Sequence, residues 1–214
     1  MSASKSFPPS SLRVALSERV VIADGAMGTM IQAANPTLEE FQGHEGCNEI
    51  LNITRPDVIA QIHRKYLSVG VDAIETNTFG ANLGNLAEYG IPDRIYELAE
   101  AGARIARQTA DEFTSKDSKP RWVLGSLGPG TKLPTLGHAS YIELESAYFD
   151  ASRGLLDGGS DALLIETTQD LLQAKSAVNG ARRAIDRANR DVRSEEHTSE
   201  LQSRQYLVCR LLLE

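Results

Sequence analysis

Three acids stand where acids are costly. Asp24 follows the apolar run Val20-Val21-Ile22-Ala23, Glu75 follows Ala73-Ile74, and Glu166 follows Ala162-Leu163-Leu164-Ile165. A carboxylate ending a buried strand is destabilising unless something compensates it. Such groups could face a common ligand, or work as a general acid and base. Gly25 and Gly28 behind Asp24 would let the backbone approach that ligand. Asp and Gly are equally at home in a strand-end turn, so the Asp24 motif supports both readings. Glu166 is followed by Thr167 and Thr168, either of which could cap a helix. The polar run Glu75-Thr76-Asn77-Thr78-Phe79 lines a pocket in our reading, although such groups also satisfy loop backbone.

These acids need strands to carry them. Short apolar segments at residues 20–23, 73–76, 122–125 and 162–166 read as strands buried on both faces. Amphipathic helices are predicted over 56–69, 94–113, 141–156 and 171–185. The first has Pro56 in its first turn and an apolar stripe of Val58, Ile59, Ile62, Tyr66, Leu67 and Val69. Strand and helix alternate, which predicts a parallel sheet. "GVDAIET" (70–76) and "GGSDALLIET" (158–167) read as copies of one unit: a turn Gly, Asp-Ala, an apolar strand, then Glu-Thr. In (β/α)8 barrels, chemistry sits at the C-terminal ends of the strands. Asp24, Glu75 and Glu166 all occupy such ends.

Size and charge narrow the choices. The chain has 214 residues and a formal net charge of −7, so a nucleic-acid partner is not expected. No segment approaches a membrane span and no secretory signal is visible, so no membrane partner is expected. Two cysteines, Cys47 and Cys209, make no disulfide framework, and a cytoplasmic setting is expected. "HEGC" (44–47) fits no common zinc spacing and reads as structural. "GSLGPGTKLPTLGH" (125–138) lacks phosphate-loop spacing and reads as a long β-α loop over the mouth, with His138 a loop residue. "DEFTSKDSKPR" (111–121) reads as a solvated loop.

Four segments carry a family resemblance. "DGAMGTMIQ" (24–32), "CNEILNITRPDVIAQIHRKYLSVGVDAIETNTFGAN" (47–82), "GSLGPGTKLPTLGH" (125–138) and "DALLIETTQDLLQAKSAV" (161–178) resemble the N-terminal homocysteine-binding module of cobalamin-dependent methionine synthases. The resemblance implies a (β/α)8 barrel in which zinc activates homocysteine and methylcobalamin supplies the methyl group. Folate- and cobalamin-binding domains would be separate. It implies that Asp24 and Gly25 hold the amino-acid end of homocysteine, and that Glu166 contacts the same ammonium. The carboxylates would act through charge-assisted hydrogen bonds. The thiol, with an ordinary pKa of about 8.5, would need the metal to become a thiolate at neutral pH.

The family's zinc is held by three cysteines, one after strand six and an adjacent pair near strand eight. This chain offers four clear strands, and neither Cys47 nor Cys209 falls on a ligand position. The expectation is therefore a partial (β/α)8 barrel of about four β/α units, with the amino-acid-binding acids but no metal site and no methyl transfer of its own. Its outer strands would have open edges, favouring a dimer or aggregate. Residues 1–18 read as an N-terminal extension and 19–192 as the half-barrel. Residues 193–214 do not continue the alternation. Their first eleven residues, "RSEEHTSELQS", read as a translated sequencing-library adapter, so they are expected to be foreign to the domain. Two other functions fit parts of the pattern. One is a cobalamin-independent homocysteine S-methyltransferase using betaine or S-methylmethionine. The other is a glycoside hydrolase-like barrel using Asp24 and Glu166, for which Trp122 is the only tryptophan platform.

Overall fold

The computed structural model describes residues 11–188 together with the backbone of two later strands. Four short helices come first: α1 (Leu12–Glu18), α2 (Gly28–Ala34), α3 (Leu51–Thr54) and the longer α4 (Pro56–Ser68). Then β1 (Ala73–Glu75), α5 (Leu83–Glu88) and α6 (Ile95–Asp117) lead to β2 (Trp122–Leu127). Next come α7 (Tyr141–Asp157), β3 (Ala162–Thr168) and α8 (Leu171–Ala188). β4 (Ser194–Glu196) and β5 (Leu207–Leu213) follow.

The sheet order is β1-β2-β3-β5-β4. β1 pairs parallel with β2, and β2 with β3. The segment before α2 joins β1 through one parallel bridge, Ala23 to Ala73. Parallel neighbours thus follow chain order without a reversal, each reached through helices. That is barrel winding, since a doubly wound sheet reverses its strand order at a switch point.

Helices start where side chains can satisfy their first amides. Ser140 and Glu143 form a reciprocal capping box on α7. α8 is capped by Asp170, whose Oδ1 accepts from the amides of Leu172 (2.8 Å) and Gln173 (3.1 Å). Thr168 instead belongs to β3, so the caps expected from Thr167 or Thr168 are not used. The main core lies between the sheet and α6–α8, around Leu98, Ala103, Leu155, Leu163, Ile165 and Ala181. α7 and α8 approach closely because Gly180 has no side chain. A Cβ there would lie 2.6 Å from the Glu145 carbonyl.

The repeated Asp-Ala unit has a structural purpose at the N-terminal end of the sheet. Asp72 accepts the Ile22 amide (3.0 Å) and a two-pronged contact from Arg19, both bonds 2.8 Å. One unit on, Asp161 accepts the Val123 amide (2.7 Å) and Arg107 Nη1 (2.8 Å). Each aspartate ties its own strand to the preceding one and neutralises itself on an arginine.

Several expectations need correction. Residues 20–23 are not a buried strand: Val20 is 82% exposed and Ile22 58%. Among the described residues their backbone pairs only toward β1, and none covers the other side. Val69 is the cap residue after α4 and lies exposed, outside the buried stripe. Residues 111–117 are not loop but the last turns of α6. Lys116–Glu112, Arg107–Asp111 and Arg121–Asp117 ion pairs four residues apart support that polar end. The segment after α8 supplies strands, and β5 runs antiparallel to β3, so the β3 edge is paired. The edge at 20–23 is the open one among the described residues. Within those residues no helix is long and apolar enough to cross a membrane.

Candidate functional site

The C-terminal ends of the parallel strands open into a cavity of about 630 Å³. Gly25, Glu75, Thr76, Asn77 and Glu166, all expected site residues, line it. Asp24 sits directly behind this lining. Its amide donates to the Ala73 carbonyl (3.0 Å), and its Oδ1 accepts from the Glu75 amide (2.8 Å). Its Oδ2 is buried and has no hydrogen-bond partner. Burial, with the charge of Glu75 adding to it, pushes the Asp24 pKa up to about 7. Asp24 is thus a buried carboxyl with one oxygen uncommitted.

Glu166 ends β3 and accepts the Ser126 hydroxyl at 2.6 Å. The next residue, Thr167, has φ +57°. A β-branched residue in the left-handed region is strained, and such strain gathers at functional sites. Asn77 and Thr76 are already engaged. Asn77 Nδ2 donates to Asn48 O (2.8 Å) and Asn52 Oδ1 (2.9 Å), which fixes the loop after β1. Thr76 and Thr78 hydroxyls lie 2.6 Å apart.

Sequence reasoning missed Glu49 and Ser126, which also line the cavity. Glu49 is 7% exposed and accepts the Gly80 amide at 2.7 Å. A Cβ on Gly80 would lie 2.7 Å from Glu49 Oε1, so a glycine is required for that approach. Burial pushes the Glu49 pKa up. The available signal is an acid set directly before the apolar pair Ile50-Leu51. Glu88, Asn85 and Tyr89 line the wall on the α5 side. Four lining residues are glutamates (Glu49, Glu75, Glu88, Glu166), and among the described residues that line the cavity none is Lys, Arg or His. The loop after β2 does not roof the cavity, which it lines only through Ser126 at the strand itself. Tyr148 and Gln173 hold that loop against α7 and α8 through the Gly128 and Pro129 carbonyls.

The residues do not fit a zinc centre. Among the described residues no three His, Cys, Asp or Glu gather to hold a metal ion. Cys47 is buried beside Glu49, and burial pushes its thiol up to about 11, away from the thiolate a metal needs. The side chain of Cys209 lies outside the described residues.

Chain-order parallel winding, with an acidic mouth that no cationic side chain lines among the described residues, defines part of a β/α barrel. The family model for homocysteine S-methyltransferase matches residues 21–199, and the chain belongs to that family. It is 61% identical over 177 residues to a methionine synthase of Mycobacterium tuberculosis (strain ATCC 25618 / H37Rv) and 58% identical to one of Mycobacterium leprae (strain TN). The match covers 83% of this chain and 15% of each relative. In fold it is similar to the homocysteine methyltransferase MmuM from Escherichia coli in its oxidized form. There the TM-score is 0.65 at 21% identity, over 81% of this chain and 63% of that one. The metallated form of MmuM gives the same TM-score and identity. The hydrolase alternative falls with this membership. Trp122 is moreover buried at the opposite end of the sheet, near the Arg19 guanidinium, and offers the cavity no platform.

Proposed function

We propose that this chain binds homocysteine in the acidic cavity, as the amino-acid-gripping half of a methionine synthase-type homocysteine S-methyltransferase domain. The supporting observation is one cavity, at the C-terminal strand ends, lined among the described residues by four glutamates and no cationic side chain. Such a field favours an ammonium group and disfavours a free anion. Asp24 and Glu166 take the ammonium through charge-assisted hydrogen bonds, with Gly25 leaving room for the amino-acid backbone. Glu75, Thr76 and Asn77 shape the wall. Because the Asp24 pKa is about 7, the carboxyl is half protonated at neutral pH. An arriving ammonium favours the ionised form, so the proton leaves Asp24 on binding.

The relatives are several times longer than this chain, and methyl transfer belongs to the whole protein. There a zinc-activated thiol, a cobalamin-borne methyl group and folate- and cobalamin-binding domains complete the reaction, in the cytoplasm. The chain alone binds substrate and does not turn it over. We take residues 19–192 as the binding unit and 193–214 as outside it. The support is that β5 runs antiparallel to β3, whereas the earlier neighbours are parallel.

Titration calorimetry with L-homocysteine tests the reading. Binding should occur without added metal, release protons near pH 7, and weaken at least about tenfold in Asp24→Asn and in Glu166→Gln. Absence of binding, or binding indifferent to either substitution, refutes it.

A further inference from the structure

Glu166 can hold an ammonium only if its carboxylate is aimed at the cavity, and a glutamate side chain on an open rim has several rotamers. The structure shows what limits them. Ser126 is 2% exposed and uses all three of its polar groups. Its amide donates to Thr76 Oγ1 (3.0 Å), its carbonyl accepts from Thr78 Oγ1 (2.8 Å), and its hydroxyl meets Glu166 Oε1 (2.6 Å).

The proton positions follow by elimination. Thr78 has one hydroxyl hydrogen and gives it to the Ser126 carbonyl. The 2.6 Å contact between Thr76 and Thr78 therefore runs from Thr76 to Thr78. Thr76 in turn accepts the Ser126 amide. A carboxylate oxygen accepts, so the Ser126 hydroxyl donates to Glu166 Oε1. The result is a strut across three consecutive strand ends. It starts at the loop after β1, passes through β2 and terminates on the β3 carboxylate. Each link except Glu166 is buried.

We propose that Ser126 is a positioning residue for substrate selection, its hydroxyl holding the Glu166 carboxylate in the orientation that grips the ammonium of homocysteine. This rests on the homocysteine reading above. Ser126 need not touch the ammonium. It acts through Glu166, so its effect is confined to ligands that carry an ammonium.

The test compares L-homocysteine with 4-mercaptobutyrate, which keeps the thiol and carboxylate but lacks the ammonium. Calorimetry uses the 214-residue chain. The wild type should prefer homocysteine, and Glu166→Gln should abolish that preference. Ser126→Ala and the near-isosteric, weakly donating Ser126→Cys should each weaken homocysteine about tenfold. They should leave 4-mercaptobutyrate unchanged, and Ser126→Ala should add nothing in the Glu166→Gln background. If wild type or Glu166→Gln fails its part, the homocysteine reading itself is overturned. If Glu166→Gln loses the preference while both Ser126 variants keep it, Ser126 does not act through Glu166. Equal weakening of both ligands, or loss of the circular dichroism of the fold in both Ser126 variants, makes Ser126 structural and overturns the proposal.

Discussion

Replacing Asp24 by Asn should stabilise the protein at alkaline pH and leave it unhelped at acid pH. The Asp24 carboxyl is raised from 3.8 to about 7, chiefly by burial. In the folded state it therefore binds its proton more tightly than in the unfolded state. Stability falls as pH rises from about 4 to about 7 and is flat above. The shift spans about three pH units, worth ~4 kcal/mol at ~1.4 kcal/mol per unit. The carboxylate keeps some contact with solvent, so about 2–4 kcal/mol is expected. Asn retains an oxygen to accept the Glu75 amide, and its NH2 inherits the unpartnered position now held by Oδ2. That orphan penalty, about 1–3 kcal/mol, does not depend on pH. Urea unfolding of both proteins at pH 4 and pH 8 isolates the charge. The variant's stability relative to wild type should improve by about 2–4 kcal/mol between the two conditions. A difference that is the same at both pH values refutes the buried-charge argument. The same variant should lose homocysteine affinity, the expected cost of removing a functional but destabilising group.

Other perturbations separate packing from binding. Thr167→Gly should raise stability by about 0.5–1 kcal/mol in urea unfolding, because left-handed backbone costs an exposed threonine more than it costs glycine. Gly154→Ala, which in an open helix would stabilise, should instead destabilise by about 1–3 kcal/mol, since its Cβ would lie 2.9 Å from the Glu100 amide on α6. Thermal unfolding decides that sign. Arg107→Ala should cost about 1–3 kcal/mol by stranding the half-buried Asp161, yet leave homocysteine affinity in calorimetry unchanged, because this pair lies at the far end of the sheet.

Periodicity and strand-end position carried much of this structure in the sequence. The apolar stripe of α4 and the two Gly–Asp-Ala–Glu-Thr units marked elements and register together. Glu166 and Gly25 were legible as cavity-lining residues, because an acid or a bare backbone at the end of an apolar run is costly unless it serves a turn or a ligand. Apolar character alone misled at residues 20–23. Burial there depends on a neighbour on each side, and among the described residues pairing reaches only β1. Charge misled at 111–117, where residues typical of loops instead pair with one another along a helix. Glu49 and Ser126 were hidden for another reason. Little in their local sequence distinguishes them, and only the approach of β1, β2 and the turn before α3 makes them neighbours of the cavity.

The two ends of this sheet treat the same functional group in opposite ways. At the N-terminal end, Asp72 and Asp161 each receive an arginine and a backbone amide, so their charges are answered within the chain. At the C-terminal end, Asp24, Glu49 and Glu166 gather at one mouth, and among the described residues no cationic side chain lines it. A fold shaped by stability alone would treat both ends alike, because a buried carboxyl without a cation is destabilising. The chain already builds the arginine solution twice at one end, so the same sequence could have supplied it at the other. Withholding it leaves a field that a cationic group from outside can satisfy. The unpartnered Oδ2 of Asp24 is where that demand is sharpest. An ammonium-bearing substrate supplies what the arginines supply elsewhere, with the difference that it can leave.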